Sequence, residues 1–145
     1  MGIFLVTSFL NLNFTPMVTT TEVGQLASEC TLWIDTLRSF RNKFTEYKKQ
    51  LQHHSLDQTQ HDVLLEIEHL YNQFHIQLIN IHDLKQSVKR HMQNISFERT
   101  RNNGNMSDDI LARHEYLYDE YQRLETTLQI ISREFERFVK YIGVK

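Results

Sequence analysis

Proline and glycine are scarce in this chain, which holds one proline and four glycines among 145 residues. A β-rich protein places a turn roughly every ten residues and draws on these two types to make it. Their shortage argues against sheets and leaves an all-helical chain as the default. Cysteine is scarcer still. Cys30 stands alone and cannot close an internal disulfide; a lone thiol suits a reducing compartment, so a cytoplasmic location is expected. Charge of one sign is missing too. Sixteen Lys and Arg face eighteen Asp and Glu, a formal net charge of -2, which gives no general attraction to nucleic acid or to an anionic membrane surface.

Long hydrophobic runs are absent apart from the first residues, MGIFLVTSFLNLNFTPM. This stretch is uncharged, but its roughly 16 apolar-rich residues fall short of the roughly 20 needed to span a bilayer. It lacks the basic start and the small-residue cleavage site of a secretory signal. Gly2 invites myristoylation, yet Val6 stands where Ser or Thr is required. Without export, the patterns Asn13-Phe14-Thr15, Asn94-Ile95-Ser96 and Asn105-Met106-Ser107 have no glycan to accept. Residues 1–18 are therefore set apart as an apolar segment, a cover for the fold or disordered, with translation from Met17 as an alternative start. Residues 19–145 are expected to form one domain, of a size that buries a core without disulfides or metal.

What the chain does have is periodicity. Apolar residues recur at Val23, Leu26, Cys30, Trp33, Leu37, Phe40, Phe44, Tyr47 and Leu51, with spacings of three and four in alternation. That is a heptad seam, the pattern of a helix that winds around partners. Thr19 and Glu22 are spaced as a capping box in front of it. Lys48, Lys49, His53 and His54 gather at its negative end. A second seam runs through Val63, Ile67, Leu70, Phe74, Ile81, Leu84, Val88 and Ile95, with Gln77 and His91 at two apolar positions and Ser55 as the cap. The third carries Ile110, His114, Leu117, Tyr121, Leu124, Leu128, Ile131, Phe135, Phe138 and Ile142. It opens at Ser107-Asp108-Asp109 and stops at Gly143.

The spacing predicts helices over about 20–53, 56–97 and 107–142, roughly 50, 63 and 54 Å long at 1.5 Å per residue. Short connections make neighbours antiparallel, so the expected fold is an elongated, antiparallel, up-down-up three-helix bundle, a left-handed coiled coil. In outline this resembles spectrin-type and syntaxin-amino-terminal bundles, without shared motifs, and an outline does not fix a function. Leu64, Ile76, Leu78 and Ile79 would widen the buried face of the second helix. Reflecting the chain about His54 and about Asn102-Asn103-Gly104 predicts layers of Trp33, Phe74 and Ile131, and of Cys30, Gln77 and Leu128, with the thiol buried and inert. The basic stretch Arg41–Lys49 is expected beside Asp57–Glu68, and Lys85–Arg90 beside Asp108, Asp109, Glu115 and Asp119.

Chemistry is hard to find in this pattern. A diiron bundle needs two Glu-x-x-His motifs, and the chain has only Glu66 with His69. His-x-x-x-His and His-Glu-x-x-His do not occur. His61, His75 and His82 share one heptad position with Glu68, and residues spaced seven apart sit about 10 Å from each other along the helix, too far to hold one ion at about 2 Å. No nucleophile has a base in register, and a slender core of aromatic rings leaves little room for a small molecule. An enzyme is not expected, nor is a cofactor.

Two features remain. His91 and His114 lie equally far from the second turn, and so share a layer. They are candidate metal ligands, though two fall short of the three or four a zinc site takes, and two neutral imidazoles there would lose stability on acidification. The first helix is expected to reach only Leu84 and Tyr121, leaving the hairpin tip of residues 88–117 to project. Its Val88, Met92, Ile95, Ile110, Leu111 and Leu117 form the expected partner-binding surface. The functional expectation is a non-enzymatic helical interaction module that binds a helical protein partner or itself. The alternative is a small ligand- or metal-binding bundle using His91 and His114.

Overall fold

The computed structural model of the chain describes residues 20–101 and 106–143. Three helices carry them: α1, Thr20–Asp57; α2, His61–Arg101; and α3, Asp108–Tyr141. No strand occurs among the described residues, so the protein is an all-α three-helix bundle. The apolar residues Phe4–Phe14, Met17, the capping residue Thr19 and the loop residues 102–105 lie outside the described residues.

The helix ends follow local chemistry, with one correction. Ser107 caps α3, its Oγ accepting from the Ile110 amide at 3.3 Å, which satisfies one of the orphan N–H groups of a helix start. Gly143 ends α3 with φ 74°, a left-handed conformation that costs glycine little. Ser55, expected to cap the second helix, lies inside α1 instead and donates from Oγ to the Gln52 carbonyl at 2.7 Å. The first turn therefore falls at residues 58–60, where Gln58 Oε1 accepts from the Gln60 amide at 3.1 Å.

The three seams form one core. Val23, Leu26, Cys30, Trp33, Leu37, Phe44 and Leu51 of α1 are buried, as are Val63, Ile67, Leu70, Phe74, Ile81, Val88 and Ile95 of α2. Leu117, Tyr121, Leu128, Ile131, Phe135 and Phe138 complete it from α3. An aromatic layer marks the centre: Phe74 meets Phe44, Tyr47 and Phe135 at ring-centroid distances of 4.7, 5.5 and 5.5 Å. Tyr47 also donates to Glu136 Oε2 of α3 at 3.2 Å, and Gln52 Nε2 of α1 donates to the Tyr71 hydroxyl of α2 at 3.3 Å. Gln77, at an apolar position of the seam, is buried and accepts from Asn80 Nδ2 at 3.0 Å.

The observed layers differ from the expected ones because the turn lies at residues 58–60 and not at His54. Phe74 packs on Phe44 and Tyr47, while Trp33 stacks on Tyr118 and Tyr121 at 5.8 and 5.7 Å. Ile76 and Ile79 stay exposed and do not widen the core. Lys85 takes a buried position one residue past Leu84. Its burial, and then the like charges of Arg41, Arg38 and Lys89, lower its pKa. No described helix is long and apolar enough to cross a membrane.

Candidate functional site

The shifted register brings four chemistry-bearing side chains into one layer. Cys30 comes from α1, His91 from α2 and His114 from α3, and all three are buried. His91 Nε2 and His114 Nδ1 are 3.0 Å apart, Cys30 Sγ is 3.9 Å from His114 Nδ1, and one ligand atom from each of the three lies within 4.8 Å of the others. Glu29, the residue before Cys30, places Oε1 2.7 Å from His114 Nε2. The neighbours one helical turn away are apolar: Leu26 and Trp33 flank Cys30, Val88 and Ile95 flank His91, and Leu117 follows His114. The Trp33 ring stands 4.8 Å from that of His114. The layer is thus a buried polar cluster held between apolar layers.

Its protonation can be worked through atom by atom. A carboxylate accepts, so His114 Nε2 carries the hydrogen it gives to Glu29. In the tautomer with that single hydrogen, His114 Nδ1 is a bare lone pair, and its contact with His91 needs the hydrogen on His91 Nε2. His91 Nδ1 is left as a buried lone pair with no hydrogen-bond partner. Burial, then His114 and Arg113, push the His91 pKa down to about 4, which keeps its imidazole neutral. Burial, and then Glu29, push the Cys30 thiol up to about 12, so as a free group it is an unreactive thiol.

The structure confirms that His91 and His114 meet. Cys30 and Glu29 are the residues that sequence reasoning missed as their companions. The layer expected for Cys30 with Gln77 and Leu128 is corrected: its neighbour is His114. His61, His69, His75 and His82, by contrast, are exposed along α2.

The hairpin end is not bare. Val88, Ile95 and Leu117 are 0, 2 and 1 % exposed, while Met92, Ile110 and Leu111 are half-buried against the core. The reason is that α1 reaches past Tyr121, with Glu29 and Cys30 on His114. Phe97, further along α2, is exposed, with the Arg101 guanidinium 5.2 Å from its ring. A different surface stands out between α2 and α3. There a groove of about 540 Å³ runs past Gln77, Leu84, Leu117 and Leu124, with Asp83, Arg113, Glu120 and Arg123 on its rim. Tyr116 beside it is 54 % exposed. Ile76 and Ile130, one heptad before Asp83 and after Arg123, continue this face and are exposed as well.

No protein-family model matches the chain, and comparison with curated proteins and with solved structures gives no match either. A functional reading therefore rests on these residues.

Proposed function

We propose that the protein is a non-enzymatic helical interaction module that pairs with a second copy of itself through the α2–α3 face. In this reading it is an antiparallel, up-down-up, left-handed coiled-coil bundle working in the cytoplasm. The observation that carries it is the open groove lined by the half-buried Leu84 and Leu124 and the exposed Tyr116, and continued by the exposed Ile76 and Ile130. Four helices, two from each copy, would bury this strip as the inner face of a bundle. The groove is an open one. Its lining carries Asp83 and Arg113, together with Glu120 and Arg123, which are ion-paired to each other at 3.0 Å within the chain. A two-fold arrangement can thus set acidic groups of one copy against basic groups of the other, whereas a highly charged partner would find no net attraction.

The proposed partner surface accordingly moves from the tip expected at residues 88–117 to the α2–α3 face, where Ile76, Tyr116 and Ile130 are exposed. The test is light scattering across a concentration series. The wild type should be a dimer that dissociates on dilution, and Tyr116→Lys with Ile130→Lys should be a folded monomer, because both residues are exposed. A wild type that stays monomeric throughout, or a double variant that dimerises equally well, would contradict the reading.

A further inference from the structure

A buried cysteine and two buried histidines from three different helices form an unusual layer for a heptad core. Apolar residues at positions 30, 91 and 114 would give the bundle more stability, since one imidazole nitrogen is left without a partner. A departure from the rule of an apolar core that its hydrogen bonds compensate only in part is where a functional site is expected. The identities also matter: one thiol and two imidazoles are a ligand set for a borderline-soft divalent ion.

The geometry fits such an ion. Tetrahedral zinc with bonds of about 2.3 Å to sulfur and about 2.05 Å to nitrogen sets its ligand atoms about 3.6 Å (S to N) and about 3.3 Å (N to N) apart. The corresponding separations here are 3.9 Å from Cys30 Sγ to His114 Nδ1 and 3.0 Å from His91 Nε2 to His114 Nδ1. For the third, a ring nitrogen of His91 lies within 4.8 Å of Cys30 Sγ. Closing the set takes side-chain movements of about 1 Å, within the reach of rotamer adjustment.

We propose that Cys30 Sγ, His91 Nε2 and His114 Nδ1 bind one zinc-class divalent cation, and that Glu29 acts as the positioning residue that holds His114 from outside the coordination shell. The Glu29 contact is what assigns the nitrogens. Because His114 Nε2 donates to the carboxylate, Nδ1 is the atom free to coordinate, and a histidine held by a carboxylate is both oriented and made more basic as a ligand. Three protein ligands leave a fourth position for water. On binding, the ion replaces the hydrogen bond between the two imidazoles, which remain neutral, and displaces the proton of the Cys30 thiol, so one proton leaves per ion bound. The dication, the thiolate and the Glu29 carboxylate then sum to zero charge in an otherwise apolar layer, and the ion ties α1, α2 and α3 together.

Cobalt(II) is the probe, titrated into chelator-treated, full-length protein at neutral pH. The expected result is one equivalent bound per chain, an intense thiolate-to-cobalt absorption with tetrahedral ligand-field bands, quenching of Trp33 fluorescence, release of one proton, and displacement by zinc. Since Cys30 is the chain's single cysteine, the thiolate band identifies the ligand even without a variant. Cys30→Ser should lose that band, and His91→Phe should lose tight binding. Glu29→Ala should weaken binding about 10- to 100-fold, and Glu29→Gln, whose amide oxygen can still accept, should recover part of it. Absence of a thiolate band in the wild type overturns the proposal. So does cobalt binding that survives unchanged in His91→Phe, which would assign it to the exposed histidines of α2. Equal affinity in Glu29→Ala and the wild type would overturn the role given to Glu29.

Discussion

Replacing Phe74 by alanine tests the register of the bundle where it is most tightly specified. Phe74 is fully buried and touches Phe44 at 4.7 Å and Tyr47 and Phe135 at 5.5 Å between ring centroids. Truncating a buried phenylalanine costs about 3–5 kcal/mol, from the lost transfer energy and the cavity left behind. A domain of this size is stable by about 5–15 kcal/mol, so the variant should keep its helicity in the cold but melt roughly 10–15 °C lower. Urea titration followed by circular dichroism would give the free-energy difference. The sharper assay is a double-mutant cycle. Phe44→Leu and Phe74→Leu should couple by about 0.5–1.5 kcal/mol, as an aromatic pair does. Trp33→Leu and Phe74→Leu should be additive, because Trp33 lies on Tyr118 and Tyr121. Coupling of Phe74 to Trp33 and not to Phe44 would refute the observed register and restore the one with its turn at His54.

Other outcomes follow from single residues. Gly24 sits inside α1, and a Cβ added there meets nothing within 4 Å, so Gly24→Ala should stabilise the fold by about 0.5–1 kcal/mol in thermal or urea unfolding. Lys85→Met should raise the melting temperature at neutral pH, because burial and Arg41, Arg38 and Lys89 disfavour the ammonium. A lysine whose folded pKa is lowered makes the unfolded chain bind more protons between that pKa and about 10.5, so the advantage of Lys85→Met should shrink in melts toward that pH. In chelator-treated protein His91, facing His114, Arg113, Cys30 and Glu29, has its pKa depressed from 6.5 to about 4. Stability should therefore be intact above about pH 6.5 and decline below it as the unfolded chain takes up the proton. Melts at about pH 7.5 and 5.5 should show a smaller decline in His91→Leu with His114→Leu, and an equal decline would contradict this.

The seams were legible in the sequence because a strict three-four spacing admits one buried face. Val23 through Leu51, Val63 through Ile95 and His114 through Phe138 line the core, with Ile34, Lys85 and Ser132 as additional buried positions. Leu84 and Lys85 show why the pattern underdetermines such additions: steps of three then four, or four then three, both connect Ile81 to Val88. The start of α3 was legible through the Ser107 side chain. The first turn was not. Ser55-Leu56-Asp57 has the chemistry of a helix start, but α1 propagates through it to Asp57 and breaks at Gln58-Thr59-Gln60, which contains neither glycine nor proline. Moving the mirror point from His54 to Thr59 carries the partner of Cys30 from Gln77 to the neighbourhood of Val88 and His91. The second turn was placed closely enough to set His91 beside His114, so half of the polar layer could be read directly. Cys30 and Glu29 could not, because an error of five residues at one turn doubles across the hairpin.

The most direct measurement is X-ray absorption at the zinc edge of protein loaded with one equivalent of zinc. Cys30, His91 and His114 predict one sulfur neighbour at about 2.3 Å and two imidazole nitrogens at about 2.0–2.1 Å, with a light atom in the fourth position. A shell of nitrogen and oxygen alone, without sulfur, would place the ion on exposed histidines and contradict the claim that this layer is a metal centre.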